Sequence, residues 1–459
     1  DRLKKKIDQS DNYISLPDTM RLGTLAFSVI VVSLVSATTI DLSFRKMTKE
    51  DFFVRIQTKI DLREVTDLNL RGNEFDSFLD CSTNLEALRT LDLSQNHLQR
   101  FFFLCKEEYN LQLLNVSHNN LKYINDRTLN DRISKLKILD LSFNKLTVVN
   151  ETMLQHLTIL EYLSLSHNPI GDGIHESAFW TLTALKHLDL RNISASYFSS
   201  DFFKTLTNLS TLDLSWNPIS AIPLLPINLQ ELDLSGTQVT DFRNLYLPQL
   251  RELRLNNMTN LTSLALNDLD LTSLETLSLT GSKRLDRLSR SPWSPLNIVL
   301  PRLQRLLIKD CDLKTLGVEL SFLIQRTPVL ELENNPWECD CNLKWIGLLN
   351  SSRNLNRDIR CHAPDRHRAK LLAEIPDYEL QCDYEYNKSV IYPILWTGLS
   401  ILIVAMIVAA VLVFLRRPIS QWSFKGRNGD TVTYKNVVES NNDLVRILAV
   451  SETHERNEE

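Results

Sequence analysis

The stretch LRTLDLSQNHL, residues 88–98, decides the fold of this 459-residue chain. Leu91 and Leu93 alternate with polar residues at the period of a β-strand whose leucines point to one side. Leu88 precedes that pair and Asn96 follows it, which gives the template L-x-x-L-x-L-x-x-N. Good copies return at residues 111–119, 136–144, 160–168 and 209–217, and weaker ones begin near Val65, Leu185, Leu229, Leu250, Leu274 and Leu303. With a last copy that runs into Asn335, about twelve copies follow one another, mostly 23 to 25 residues apart.

This spacing predicts a solenoid. One copy cannot bury its own leucines, whereas stacked copies can, with parallel strands about 4.8 Å apart. The template asparagine is predicted to turn inward and to satisfy backbone groups of adjacent coils, which is a structural role. Ile193, Thr237, Met258 and Ser282 replace it in the middle of the array, so less regular coils are expected there. Residues 290–301, with three prolines and Trp293, predict a protruding loop, either a packed insertion or a binding loop.

These features resemble animal leucine-rich repeat cell-surface receptors and adhesion proteins over residues 60–382. Asn335-Pro336-Trp337, followed by Cys339 and Cys341, is similar to the flanking domain that closes such ectodomains. The ectodomain also resembles Toll-like receptors, although the 44 residues after position 415 are too few for their cytoplasmic domain. The resemblance implies an α/β fold: a leucine-rich repeat solenoid, curved as a horseshoe with a parallel β-sheet on the concave face, a disulfide-bonded C-terminal cap, one transmembrane helix and a short tail.

The chain is accordingly divided into eight segments. Residues 1–19 are expected to be untranslated or unstructured. Residues 20–37 are predicted to be a signal peptide cleaved after Ala37, because Met20 and Arg21 precede a short apolar run that ends in small residues. The remaining segments are an N-terminal cap without cysteines (38–64), the repeats (65–335), the cysteine-rich cap (336–382), a juxtamembrane segment (383–390), a transmembrane helix (391–415) and a cytoplasmic tail (416–459).

The prediction of a membrane segment depends on the length of one uncharged run and on the charges that flank it. Residues 391–415 carry no charged side chain over 25 positions, which is enough to cross a hydrocarbon core of about 30 Å. Arg416 and Arg417 follow at once, whereas Asp383 and Glu385 precede the run, so the N-terminus is predicted outside the cell and the C-terminus in the cytosol. The predicted signal peptide and the predicted transmembrane helix together indicate a location in the plasma membrane.

The secretory pathway favours disulfide bonds for the seven cysteines. The last four, Cys339, Cys341, Cys361 and Cys382, allow three pairings, and spacing alone does not choose among them. The family resemblance implies that Cys339 pairs with Cys361 and Cys341 with Cys382. Cys81 and Cys105 lie at nearly equivalent places on adjacent coils, within reach of a disulfide, and are predicted to form one. Cys311 replaces a template asparagine and is expected to stay free and unreactive.

Glycosylation sequons lie only before the apolar run, which agrees with the predicted topology. Asn115 lies between two strand leucines, so a glycan there would obstruct the N-terminal part of the concave face and shift ligand binding elsewhere. Asn387 is expected to stay unmodified because it adjoins the membrane helix. The predicted glycosylation sites are Asn115, Asn150, Asn192, Asn208, Asn257, Asn260 and Asn350.

No motif in the sequence indicates an enzyme, a cofactor or a metal site. His118 and His167 share a template position but lie two coils apart, too far for one zinc ion. The sequence predicts an interrupted acidic stripe on the concave face, formed by Asp92, Asp140, Asp189, Asp213 and Asp233. The stripe is either a site for a basic ligand or the residue type that this repeat template commonly has at that position. The net charge of −5 does not call for nucleic acid as a partner.

Two classes of function therefore compete. The first is a cell-surface recognition or adhesion protein that binds an extracellular or membrane protein through its ectodomain. The alternative is an accessory subunit that acts in cis on a receptor or channel in the same membrane. In the tail, Tyr434 and Val437 fit a sorting motif or, after phosphorylation of Tyr434, a site for a cytosolic adaptor.

Overall fold

The computed structural model describes two units of the chain, Asp1–Cys382 and Asp383–Glu459. The described residues are 14–15, 39–56, 61–80, 85, 87–104, 108–125, 127–243, 245–266, 269–290, 300–348, 359–382, 385–415, 423–425 and 431–433. Several predicted features lie outside them: the signal peptide, the Cys81–Cys105 bond, most of the loop at 290–301, Asn350, Tyr434 and Val437.

A 14-stranded parallel sheet organises the first unit. From Leu68 to Leu306 the centre of each strand is a buried leucine, while the first residue of each strand stays partly or fully exposed. The leucines align across the sheet, as Leu139 does with Leu163. In chain order the strands are Ile14–Ser15, Thr39–Asp41, Asp67–Asn69, Thr90–Asp92, Leu113–Asn115, Ile138–Asp140, Tyr162–Ser164, His187–Asp189, Thr211–Asp213, Glu231–Asp233, Glu252–Arg254, Thr276–Ser278, Arg305–Leu307 and Val329–Glu331.

Each template asparagine links its own coil to the preceding one, as predicted. The Nδ2 group of Asn168 donates to the carbonyls of Leu141 and Leu165, both at 2.9 Å, and its Oδ1 accepts the amide of Leu146 at 3.0 Å. The side chain is 1% exposed. The same bonds recur at Asn73, Asn96, Asn119, Asn144, Asn217 and Asn335.

These asparagine hydrogen bonds between coils are called the ladder below. The positions at which another residue replaces the asparagine keep part of it. The Ser282 hydroxyl donates to the carbonyl of Leu255 and accepts the amide of Met258, each at 3.1 Å. The Thr237 hydroxyl donates to the carbonyl of its own coil, Leu234, at 2.7 Å, and lies 3.7 Å from the sulfur of Met258 in the next coil. Every substituted side chain is nonetheless buried, including Ile193 and Met258, so the coils stack through this region with fewer hydrogen bonds.

The returning side of the coils holds the remaining short elements and most of the aromatic packing. Phe75, Phe78, Phe101 and Phe103 are at most 1% exposed, and Phe179 and Phe203 are fully buried. Three further parallel pairs join Ser77–Leu79 to Arg100–Phe102, Leu245–Tyr246 to Leu269–Asp270 and Ser263–Ala265 to Arg287–Ser289. The helical turns are Asp51–Ile56, Asp131–Ile133, Glu151–Leu154, Glu176–Phe179, Val318–Leu320 and Ser321–Arg326.

The N-terminal end of the sheet is covered by the segment predicted as a cap. Strand Thr39–Asp41 pairs with Asp67–Asn69, and Leu42 and Phe52 are buried behind it. Residues 1–19 were expected to be untranslated or unstructured, but within them Ile14–Ser15 forms a short strand against Ile40 and Asp41. An edge strand offers unpaired backbone groups to any extended segment, which accounts for this difference.

Two disulfides fasten the C-terminal end, with the pairing that the family resemblance implies. Cys339 bonds Cys361 and Cys341 bonds Cys382, with Cα–Cα distances of 5.6 and 5.0 Å. Trp337 is fully buried, and its indole donates to the carbonyl of Leu332 at 3.1 Å. The described part of the cap contains a parallel pair, Trp337–Glu338 with Cys361–Ala363, and the helical turns Lys344–Leu348, Asp365–His367 and Leu372–Glu374.

The second unit contains one long helix, Glu385–Leu415. Its segment Leu395–Leu412 is long and apolar enough to cross a membrane, and none of that segment is buried within the protein. The predicted membrane segment, residues 391–415, is therefore helical throughout. An antiparallel pair, Ser423–Lys425 with Thr431–Thr433, follows it.

Replacing Asn168 by alanine tests the ladder. Asn168→Ala leaves two carbonyls and one amide without their partners in a dry interior, so we expect the free energy of unfolding to fall by about 2–4 kcal/mol. Asn168→Ser is the control, since Ser282 shows that a hydroxyl makes two of these bonds. Urea denaturation should rank serine between asparagine and alanine, and equal losses for both variants would contradict the ladder.

Candidate ligand-binding surface

The solvent side of the 14-stranded sheet, called the concave face below, presents the first and third residues of each strand. In the middle coils the first residues form a half-buried apolar and aromatic row. It consists of Leu113, Ile138, Tyr162 and His187, and the rings of the last two lie 6.3 Å apart. A continuous apolar row beside solvent is a surface that a protein partner can cover.

The predicted acidic stripe forms along the third residues of the strands. Each of its carboxylates accepts a hydrogen bond of 2.8 to 3.0 Å from the backbone amide two residues later. Asp92 accepts the amide of Ser94, and the same bond recurs along the stripe up to Asp233, which accepts the amide of Ser235. This bond shapes the turn after each strand, so the aspartates have a structural role as well. Burial raises the pKa of Asp92, Asp189 and Asp233 above the usual range of a carboxyl group.

Arginines neutralise the C-terminal part of the stripe. Arg191 pairs with Asp213, with Nε to Oδ2 at 3.1 Å. Arg254 lies 3.8 Å from the carboxylate of Asp233 and 2.7 Å from that of Glu252. Within the described part of the chain, no salt bridge involves Asp140. The part of the stripe that can attract a basic ligand is therefore shorter than the sequence predicted, and it lies toward the N-terminal coils.

A second row borders the concave face. The residue before each ladder position adopts the left-handed backbone conformation, with φ between +49° and +77°. This left-handed row comprises Gly72, Gln95, His118, Phe143, His167, Asn192, Trp216, Gly236, Asn257, Gly281, Asp310 and Asn334. Glycine and asparagine adopt this conformation at low cost, whereas other residues are strained by about 1–2 kcal/mol. The frequent glycine and asparagine before the ladder residue were a sequence signal for this row, which the sequence analysis missed.

The bulky members of the row stack on one another. The rings of His118 and His167 lie on opposite faces of Phe143, each at 4.1 Å between centroids and within 11° of parallel. The two histidines are thus separated by a phenyl ring, which agrees with the prediction that they do not share a metal ion. His167 also contacts Asn192 of the next coil, with 3.0 Å between Nδ1 of the imidazole and Nδ2 of the asparagine. Burial, followed by the charge of Arg191, lowers the pKa of His167.

Other bulky members lie over a glycine of the next coil. The indole of Trp216, which is 52% exposed, covers Gly236, where an added Cβ would meet the ring at 2.7 Å. Phe44 covers Gly72 in the same way, and the guanidinium of Arg71 lies 5.8 Å from its ring centroid. Phe143 itself is 43% exposed. The edge of the concave face therefore displays aromatic groups held in fixed orientations.

The predicted glycosylation sites lie in different environments. Asn115 is half-buried on the concave face, and its Oδ1 accepts the amide and the hydroxyl of Ser117 at 3.0 and 2.8 Å. Asn150 caps the helix Glu151–Leu154 by accepting the amide of Met153. Asn192, Asn208, Asn257 and Asn260 are exposed. Occupancy of all these sites stays a prediction.

One buried thiol and one cavity are further features with chemical potential. Cys311 is free and buried, and burial raises the pKa of its thiol to about 11. A cavity of about 860 Å³ between the last coil and the cap is lined by groups of both charges, among them Glu333, Arg360 and Arg368. Among the described residues, no group of three or more histidine, cysteine, aspartate or glutamate side chains could hold a metal ion.

Known proteins match the chain through its repeats. The family description "Leucine rich repeat" matches residues 109–170, 160–182 and 205–221, and a two-copy form matches residues 227–270. "Transforming growth factor beta activator LRRC33" of Danio rerio is 26% identical over 67% of the chain and 50% of its own length. "CD180 antigen" of Mus musculus is 27% identical over 79% of the chain and 47% of its own length. The chain thus spans about half the length of these relatives.

A solved structure supports the same fold. The crystal structure of a TLR13–ssRNA13 complex has a TM-score of 0.51 and 21% identity, and the match covers 74% of this chain and 57% of that one. At this identity the match establishes the architecture alone. The similarities agree with a receptor-like ectodomain built of leucine-rich repeats.

A double-mutant cycle tests the left-handed row. We expect Gly236→Ala to lower the free energy of unfolding by about 2 kcal/mol, because alanine is strained at φ +69° and its Cβ displaces the Trp216 ring. In a Trp216→Ala background the second effect disappears, so the cost should fall by about 1 kcal/mol. The same cost in both backgrounds would show that the ring does not lie over Gly236.

Alkylation tests the state of Cys311. Because the pKa of its thiol is raised to about 11, almost no thiolate forms in the folded protein near neutral pH. We expect iodoacetamide to leave Cys311 unmodified between pH 7 and pH 9 and to modify it once the protein is unfolded in urea. Peptide mass spectrometry would report the site, and rapid alkylation of folded protein at pH 8 would contradict its burial.

Proposed function

Because the chain carries a leucine-rich repeat solenoid similar to the ectodomains of animal cell-surface receptors, we propose that it is a cell-surface recognition or adhesion protein. In this proposal the ectodomain binds a protein ligand, and the chain contributes no catalysis of its own. One observation carries the proposal: a long parallel sheet whose solvent face and aromatic edge are held rigid by the ladder.

An ordered surface lowers the entropic cost of binding a partner. A surface whose side chains are already ordered loses little conformational entropy when a partner covers it. Here the rings of His118, Phe143 and His167 are fixed by stacking, and the strand residues are fixed by the sheet. Exposed aromatic groups held in this way are typical anchors of protein interfaces.

A membrane anchor accompanies the ectodomain in this proposal. The helix Glu385–Leu415 contains the apolar segment that would lie in the bilayer. The charges that flank it in the sequence, Arg416 and Arg417 on one side and Asp383 on the other, favour an extracellular N-terminus and a cytosolic tail at the plasma membrane. The sequons and the cap disulfides suit the same side. Tyr434 and Val437 stay candidates for adaptor binding.

An accessory role in cis is the second candidate. Only eight residues lie between Cys382, which anchors the cap, and Ile391, where the uncharged run begins. Such a short connection favours contacts with proteins of the same membrane. The two roles differ in where the partner is found, so one experiment can separate them.

Proximity labelling around the full-length chain on living cells tests the proposal. We expect a membrane or extracellular protein to be labelled above the level obtained with residues 383–459 alone, which carry the helix and tail without the repeats. Aggregation of transfected cells would favour adhesion, whereas a partner found only in the same membrane would favour the cis role. Equal labelling with and without the repeats would exclude an ectodomain ligand.

A further inference from the structure

Arginines complete a recurring pattern on the concave face. Two arginines pair with carboxylates of the acidic stripe, Arg191 with Asp213 and Arg254 with Asp233. At the N-terminal end of the left-handed row, Arg71 lies over the ring of Phe44. The sheet therefore provides both of the groups that bind a guanidinium, a carboxylate and an aromatic ring.

Asp140 interrupts this pattern. It occupies the same strand position as Asp213 and Asp233, yet no salt bridge in the described part of the chain reaches it. Its aligned neighbours across the sheet are Asn115 and Ser164, neither of which carries a charge. Its Oδ1 accepts the amide of Ser142 at 2.9 Å, as in the other coils.

Among the described residues, Asp213 and Asp233 have an ion pair, whereas Asp92, Asp140 and Asp189 have none. The charge of Arg71 still acts on Asp92, and the charges of Arg191 and Asp189 act on each other. Asp140 is thus a carboxylate of the stripe with neither an ion pair nor an interacting arginine in the described part of the chain.

Apolar and aromatic residues lie on the strands beside Asp140. Tyr162 lies on the adjacent strand, and burial together with the charge of Asp140 raises the pKa of its hydroxyl. Ile138 precedes Asp140 by two residues on the same strand and continues the apolar row. Phe143 follows Asp140 by three residues in the sequence and stands in the left-handed row between two imidazoles. A negative charge beside an apolar row fits a cation that carries a long apolar stem.

We propose that the concave face around Asp140 binds an arginine side chain presented by the protein ligand, an inference that rests on the proposed function. The guanidinium pairs with the Asp140 carboxylate, and the arginine stem packs along Ile138 and Tyr162. The ligand thereby supplies the ion pair that Arg191 and Arg254 supply within the chain. Arginine fits better than lysine, because its planar fork pairs with a carboxylate through two hydrogen bonds and stacks on rings.

A glycan at Asn115 would compete with this ligand. Asn115 is the aligned neighbour of Asp140 on the preceding strand, so a sugar on its Nδ2 would cover the carboxylate. The proposal therefore requires Asn115 to be free of glycan in a substantial fraction of the protein at the cell surface. Glycopeptide mass spectrometry of that protein measures this fraction directly, and full occupancy would overturn the proposal.

Selection of peptides tests the residue preference. The probe is a phage-displayed library of short random peptides, selected on the purified full-length protein in lipid nanodiscs. We expect the selected peptides to be enriched in arginine and to lose at least about tenfold in affinity when Asp140→Ser is introduced. Changing the peptide arginine to lysine should also weaken binding. Serine occupies the same strand position at Ser164 and Ser278, so the variant should fold normally. Asparagine is avoided because it would complete an N-x-S sequon with Ser142.

Asp213→Ser is the matched control, since asparagine would again complete a sequon, here with Ser215. Asp213 has the same strand position, but its cation, Arg191, belongs to the chain, so its replacement should leave peptide affinity nearly unchanged. Recovery of no peptides, peptides without arginine enrichment, or equal losses from the two variants would overturn the proposal. A cellular partner that binds the Asp140→Ser protein as tightly as the wild type would overturn it too, while leaving the proposed function intact.

Discussion

The hydrogen bonds of the inward-turned asparagines are the constraint on which the rest of the structure depends. A turn that follows a three-residue strand in every coil leaves buried carbonyl and amide groups, and each would cost about 1–3 kcal/mol if unsatisfied. One amide side chain satisfies groups of two coils at once, as Asn168 does for Leu141, Leu146 and Leu165. The ladder therefore fixes the register between coils, and the register aligns the leucines that form the core.

The binding surface follows from the same ladder. To turn an asparagine inward, the preceding residue takes a left-handed conformation, which directs its side chain along the edge of the concave face. Side chains at this position repeat at the spacing of the coils, so flat rings such as Phe143 stack against their neighbours or, like Trp216, cover a glycine. A requirement of folding thus produces an ordered aromatic edge beside the strand residues.

The sequence predicted what depends on period and spacing. The template gave the parallel strands and the inward asparagines, and the resemblance to flanking domains gave the pairing of Cys339 with Cys361 and Cys341 with Cys382. The sequence did not reveal the stacking of His118 on Phe143 or the pairing of Arg191 with Asp213. These contacts join residues whose alignment appears only once the coils are stacked. The strand at Ile14–Ser15 was missed for a related reason, since the edge of Thr39–Asp41 recruits it.

In the proposed function the concave face, and not the returning side, meets the protein ligand. Site-specific photo-crosslinking distinguishes the two surfaces, with a photoreactive residue at Tyr162 on the concave face or at Trp180 on the returning side of the same coil. Trp180 is 53% exposed and so is at least as accessible as half-buried Tyr162. On living cells the account predicts a crosslinked protein partner from position 162 and none from position 180. Crosslinks from position 180 alone would contradict it.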